Sequence, residues 1–290
     1  MLPAEVQAAY EKGLLDVLLY ADDTLLIGFD EGHVQKLLNA IADTGAKFGM
    51  QLHWSKFQMM QINHTYNLRT PAGDAIPAKD LMSYLGISVY ADGGMKSELN
   101  QKLGNAWADF CKLNRLWKRT ALPTAKKIRI FNAVVTPRLM YGLSSAWLNI
   151  AEMRRLNGFH CRCLRVLLRI APSYISRVSN KTVLSQAQQA PLGASLLQQQ
   201  LLYYGRIARA PMDDPLRKLT FHPQTTVPVN MVYVRRIGRP RNEWTTMLRK
   251  ECNKISTHSN QLIRSFPEWA KAVHDHCFTR IRSCPRAFGV

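Results

Sequence analysis

Carboxylates are scarce in this chain of 290 residues, where 20 Asp and Glu face 39 Lys and Arg and leave a formal net charge of +19. A surplus of that size points to a polyanionic partner. Long apolar runs are missing as well. No stretch approaches the roughly 20 apolar residues that a membrane-crossing helix needs, and no amphipathic Lys/Arg anchor appears, so no membrane partner is expected. No secretory signal is visible, and the chain is expected not to be secreted. The six cysteines, at 111, 161, 163, 252, 277 and 284, contain no Cys-x-x-Cys pair and no regular framework, which reads as reduced thiols. Cys252, His258, His274, His276, Cys277 and Cys284 gather toward the end at spacings that do not match a tight zinc finger. A zinc site and a set of unpaired, partly buried side chains are both open readings of them. No internal repeat at a fixed period appears.

Hydrophobic residues make up 47% of the chain, enough for real cores in two modest domains or one domain with an extension. The charge is divided unevenly. Residues 1–100 hold 7 Lys/Arg and 12 Asp/Glu, a balance of −5, whereas residues 101–290 hold 32 and 8, a balance of +24. Metal chemistry and polyanion binding are therefore expected in different parts of the chain, with nucleic acid as the polyanion because each neutralised phosphate releases counterions.

The apolar pattern predicts an α+β chain. Leu14–Leu19 and Leu25–Ile27 flank Tyr20-Ala21-Asp22-Asp23 and read as a β-hairpin with two carboxylates at its turn. Val34, Leu37, Leu38, Ile41 and Ala42 mark an amphipathic helix from Glu31 to about Phe48. Residues 57–62 and 84–90 read as strands, with a turn at Pro71-Ala72-Gly73-Asp74 between them. From Lys96 the pattern is helical: one helix over Leu99–Leu116, a helix pair over 124–148 interrupted by Pro137, and a helix over 151–170. In the last of these, Met153, Leu156, Phe159 or His160, Cys163, Val166, Leu167 and Ile170 form the expected buried stripe. Gln186–Gln200 reads as a helix, 210–243 as an extended connector, and Trp244, Met247 and Leu248 as the start of a last amphipathic helix.

Arg155, Arg162, Arg165 and Arg169 recur at spacings of 7, 3 and 4 and line one side of the 151–170 helix. Guanidinium forks in such a ridge suit phosphate oxygens, and an ordinary solvated face is the plain alternative. Arg235, Arg236, Arg239 and Arg241, around Gly238 and Pro240, read as a second, loop-borne contact to nucleic acid.

The tetrad Tyr20-Ala21-Asp22-Asp23 resembles the metal-binding hairpin in the palm of reverse transcriptases. Gly49-Met50-Gln51-Leu52-His53-Trp54-Ser55-Lys56 is similar to the family's Gly, apolar, Asn and Lys segment, with His53 where the family has Asn, and Tyr84-Leu85-Gly86 is similar to its primer-gripping hairpin. Phe159–Arg165, Tyr203–Arg209 and Gly238–Trp244 resemble segments that follow the polymerase in LINE-type, non-LTR retrotransposons. The resemblance implies a partial palm over 1–95, a helical thumb-like region over 96–172 and a basic carboxyl-terminal region over 173–290. It implies magnesium as cofactor, an RNA template and a DNA primer as partners, and deoxynucleoside triphosphates as substrates of the intact enzyme. By the same resemblance the protein belongs to a ribonucleoprotein of nucleus and cytoplasm.

The family's chemistry uses two magnesium ions held by carboxylates. The resemblance assigns metal binding to Asp22, with Asp23 in support, and gives Lys56 the protonation of departing pyrophosphate. It also requires an Asp from an earlier palm strand, and only nineteen residues precede Tyr20. Asp16 is no substitute, because about 20 Å of extended chain separates it from Asp22 at roughly 3.3 Å per residue. The chain is therefore expected not to polymerise DNA by itself. Two functional classes stay open: a reverse transcriptase fragment, and a non-catalytic RNA- or DNA-binding module that keeps a vestigial palm piece.

Overall fold

Leu15–Tyr20 (β1) and Asp23–Gly28 (β2) form an antiparallel hairpin closed by Ala21 and Asp22 alone, with Tyr20 opposite Asp23 and Val17 opposite Leu26. Side chains alternate across the pleat, so Val17 and Leu26 share one face, and that face packs on the helix Glu31–Lys47 (α1) through Leu37, Val34 and Ile41. Asp30 caps α1 by accepting the His33 amide at 2.9 Å. The computed structural model describes residues 11, 15–62, 65–119, 121–229, 243–257 and 259–283. The chain is α+β and divides into two units, Met1–Gly94 and Met95–Val290.

In the first unit, the segment after α1 holds to the helix by side-chain to backbone bonds. Gln35 both donates to the Arg69 carbonyl at 2.8 Å and accepts from the Arg69 amide at 2.7 Å, while Glu31 accepts from the Asn67 amide at 3.1 Å. Residues 57–62 form no strand; they contribute only the bridge of Met59 to Ala78. Residues 84–90 differ from expectation as well. Leu81–Tyr84 (β3) pairs antiparallel with Ile87–Tyr90 (β4), so the run turns back on itself at Leu85-Gly86. Each hairpin is a separate two-stranded sheet.

The second unit is built of helices around two apolar clusters. The first cluster gathers Lys96–Lys112 (α2), Asn114–Lys118 (α3), Thr124–Met140 (α4), Ile150–Leu168 (α5) and Asn180–Ala187 (α7) on Leu99, Phe110, Phe131, Leu139, Leu156, Leu164 and Leu167. Ser173–Ser176 (α6) is a single turn between α5 and α7. The second cluster joins Leu192–Arg209 (α8), Trp244–Ile255 (α10), Ser259–Arg264 (α11) and Phe266–Ser283 (α12) on Leu201, Tyr204, Leu248, Ile263, Trp269 and Val273.

Several expected boundaries move, each for a local reason. The helix expected over Leu99–Leu116 breaks after Lys112 into α2 and α3. Pro137 does not interrupt α4: it sits exposed in the last turn, and the helix ends at Met140, just before Gly142 takes φ +75°. Helix α5 begins with a capping box, in which Asn149 accepts from the Glu152 amide at 2.9 Å and Glu152 accepts from the Asn149 amide at 2.8 Å. Its buried stripe includes Leu156, His160, Cys163 and Leu167, but Val166 points outward and is 42% exposed. The Gln-rich stretch is two helices, because Gln188 turns left-handed at φ +53° and Pro191 starts α8. Residues 210–243 are not extended throughout, since Pro215–Thr220 (α9) lies within them, and α10 is followed by α11 and α12.

Candidate nucleic-acid interface

At the tip of the first hairpin, Ala21 holds φ +51°, a left-handed conformation that costs a non-glycine residue about 1 kcal/mol. Asp22 and Asp23 both stand exposed there. Asp16 is four residue pairs back along the strands, opposite Ile27, with its carboxylate accepting from the Val17 amide at 2.8 Å. Two carboxylates at one tip are the hard oxygen donors that magnesium takes, waters and substrate phosphates supplying the rest of its octahedral shell. No group of three or more His, Cys, Asp or Glu that could hold a metal occurs among the described residues. Asp22 and Asp23 are the residues that would hold such an ion.

Lys56 ends the short 3₁₀ turn Trp54–Lys56 and is exposed, with Trp54 tilted against Phe57 at 4.8 Å between ring centres. No hydrogen bond or ion pair joins it to Asp22 or Asp23 among the described residues. At the second hairpin, Leu85 and Gly86 both have positive φ, +49° and +75°, the backbone of a mirror-image two-residue turn. Gly86 adopts it freely, whereas Leu85 is strained. Tyr84 is half-buried at the end of β3.

Three of the four arginines expected in a ridge on α5 face solvent: Arg155, Arg162 and Arg169. Arg162 lies over the Trp107 ring of α2, 3.8 Å from its centre, a cation–π stack that orders the guanidinium. Arg165 departs from the ridge. It is 6% exposed and donates to the Val178 carbonyl at 2.6 Å, to Asn180 Oδ1 at 3.2 Å, to Ser176 Oγ at 3.4 Å and to the Ala171 carbonyl at 3.5 Å. Its position on the helix is turned toward the 171–180 segment, which closes over it.

A larger basic surface lies within the helical unit. From residue 110 to residue 212 there are seventeen Lys and Arg and a single carboxylate, Glu152, which is buried and occupied by its capping box. At the corner of α2, α3 and α4, Arg115, Lys118, Arg119, Lys126 and Arg129 are exposed, and none is in an ion pair among the described residues. Asp109, the nearest acid in sequence, is buried and held by Arg138 at 2.6 Å and Lys112 at 3.1 Å. The corner is held from inside. Buried Trp117 donates its indole N–H to the Phe110 carbonyl at 2.8 Å, and buried Lys127 donates to the Trp117 carbonyl at 2.7 Å. Unneutralised charge fixed on a stiff corner raises the local potential that attracts phosphate. A window of a few tens of residues, counting carboxylates alone, would have found it.

Arg235, Arg236, Arg239 and Arg241 lie outside the described residues, as do His258 and Cys284 of the carboxyl-terminal Cys/His group. Cys252 and Cys277 are buried in the second cluster, and burial pushes the Cys252 thiol up to about 12, away from the thiolate that zinc takes. Burial likewise raises Cys161 to about 11, and Cys163 further. His276 faces Glu251 at 3.3 Å.

Comparison with known proteins gives one similarity of note. The chain is 27% identical over 161 residues to a Caenorhabditis elegans protein, F52C9.6, whose name describes it as uncharacterized and transposon-derived; the match covers 53% of this chain and 56% of that one. The chain thus spans little more than half the length of that relative. No protein-family profile matches the chain, and no solved structure matches it. No helix among the described residues is long and apolar enough to cross a membrane.

Proposed function

We propose that this chain is a carboxyl-terminal part of a reverse transcriptase from a LINE-type, non-LTR retrotransposon, and that its work is to hold nucleic acid. The observation that carries the reading is the helical unit's one-signed charge, seventeen cations, fourteen of them exposed, to one buried carboxylate over residues 110–212. Such a surface binds the phosphates of a primer–template helix, positioning it without reading its bases. The exposed Asp22-Asp23 tip, the strained Leu85-Gly86 turn and the similarity to a transposon-derived protein support the same origin. The partners are an RNA template and a DNA primer, within a ribonucleoprotein of nucleus and cytoplasm.

With two carboxylates at the hairpin tip, the chain by itself binds but does not polymerise. Nucleotidyl transfer with magnesium and deoxynucleoside triphosphates belongs to the intact enzyme, where Asp22, Asp23 and Lys56 take part. The same surplus of cations also suits a second reading, a nucleic-acid-binding module without catalysis. Two measurements test these readings. Affinity for an RNA–DNA duplex should fall steeply with salt, and a flat salt dependence rules out phosphate-dominated binding. Primer extension with magnesium should show no incorporation; incorporation that Asp22→Ala abolishes overturns the inactive assignment and the second reading with it.

A further inference from the structure

Arg165 is buried, and the loop it holds carries an unusual surface. Buried and without a carboxylate partner, its guanidinium makes four hydrogen bonds to the 171–180 segment, where Ser176 Oγ also donates to the Ala171 carbonyl at 3.0 Å and Ser179 Oγ caps α7 by accepting the Thr182 amide at 3.1 Å. A loop anchored so firmly could have turned its apolar side chains inward. Instead α6 leaves Tyr174 81% exposed and Ile175 62% exposed at its crest. Arg169 and Arg177 flank the crest in left-handed conformations, φ +57° and +52°, and Lys181 follows on α7; all three are exposed. No carboxylate occurs in the sequence from 153 to 212.

We propose that this loop is a stacking platform for an unpaired base of single-stranded nucleic acid, with Tyr174 against the base and Arg169, Arg177 and Lys181 at the neighbouring phosphates. An exposed aromatic ring on a rigid backbone, set among cations, is the arrangement by which single strands are held, whereas paired bases in a duplex offer no face to such a ring. The unbroken positive charge favours this partner over a protein surface, which would bring mixed charge. The proposal rests on the reading of the helical unit as a nucleic-acid-binding surface and adds to it a site for a single strand.

The test uses the full chain, an oligouridylate of about 12 nucleotides with one fluorescent aminopurine base, its oligothymidylate counterpart, and an RNA–DNA duplex. Stacking on the wild-type protein quenches the aminopurine. Tyr174→Trp keeps the quench, while Tyr174→Ala loses it and weakens single-strand binding about 5- to 150-fold, leaving duplex binding unchanged. Equal quenching of both oligonucleotides assigns the platform to bases of either sugar; quenching of one alone assigns it to RNA or to DNA. Wild-type affinity and quench in Tyr174→Ala overturn the proposal and leave the wider reading standing. A wild-type protein that binds neither strand nor duplex overturns both. Binding to phosphatidylserine vesicles that Tyr174→Ala abolishes, with no quench in any variant, overturns it in favour of a lipid surface.

Discussion

The indole of Trp269, on α12, rests directly against the α-carbon of Gly205, on α8, and donates its N–H to the Leu201 carbonyl at 3.1 Å. A Cβ at residue 205 would collide with the indole nitrogen and come within 2.7 Å of Cδ1. Gly205 is therefore present for close approach of two helices. Its neighbours on α8 pack as well: Tyr204 is buried beside Phe221, and Arg209 donates to the Ile263 carbonyl at 2.9 Å. Gly205→Ala should destabilise the helical unit by about 1–3 kcal/mol, as overpacking of a tight contact does. Thermal or urea melts followed by tryptophan fluorescence measure it, and an unchanged midpoint would contradict the contact.

His160 gives the helical unit an acid sensitivity. It is 1% exposed, stacks on Phe131 at 5.8 Å, and has no hydrogen-bond partner at either ring nitrogen among the described residues. Burial lowers it from 6.5 to about 4. The folded state thus holds the neutral ring, and the unfolded chain takes up the proton first as pH falls. Its contribution is whole above pH 6.5 and is lost as pH falls from there toward 4, at up to about 1.4 kcal/mol per pH unit and about 3 kcal/mol in all. The pH dependence of stability should be shallower in His160→Leu over that window; identical slopes in wild type and variant would refute the assignment.

Arg162 and Arg165 should part company on mutation although they are one turn apart. Arg165→Met removes four hydrogen bonds to half-buried or exposed acceptors, so a stability loss of about 1–3 kcal/mol and faster proteolysis near residues 171–179 are expected. Arg162→Ala removes an exposed cation and its stack on Trp107, which should weaken duplex binding and leave stability within about 1 kcal/mol. The opposite pattern, with Arg165→Met folding normally and losing duplex affinity, would restore Arg165 to the ridge.

The α2–α3–α4 corner is tested by charge removal. Changing Arg115, Lys118 and Lys126 together to Gln should lower the salt slope of duplex binding by about 2.7, at roughly 0.9 for each phosphate contact, with little change in melting temperature. A triple variant with the wild-type slope would show that the corner is a solvated surface.

Much of the architecture was legible in local pattern. Two apolar runs broken by Tyr20-Ala21-Asp22-Asp23 were enough for the first hairpin, and 3–4 spacing was enough for α1 and α5, because each helix buries one face whose period is visible in the chain. Boundaries failed where the deciding residue carries no turn signature. Leu85 bends a run that reads as one strand, and Gln188 ends a helix in a stretch that looks continuous. Pro137 failed in the opposite sense, since an exposed position in a final turn tolerates it.

The overall positive surplus, the paired carboxylates at a turn and the scarcity of acids past residue 100 are properties of composition and order, and they are fixed by the sequence alone. Which cations are free to meet such a ligand is a different matter. Spacing puts Arg165 with Arg155, Arg162 and Arg169, yet the 171–180 segment closes over Arg165 alone and turns a presumed phosphate contact into the anchor of the loop that displays Tyr174. Helical spacing specifies an angle around an axis; burial depends on what packs there, and the fold of the segment that follows α5 leaves no mark on the helix's own periodicity.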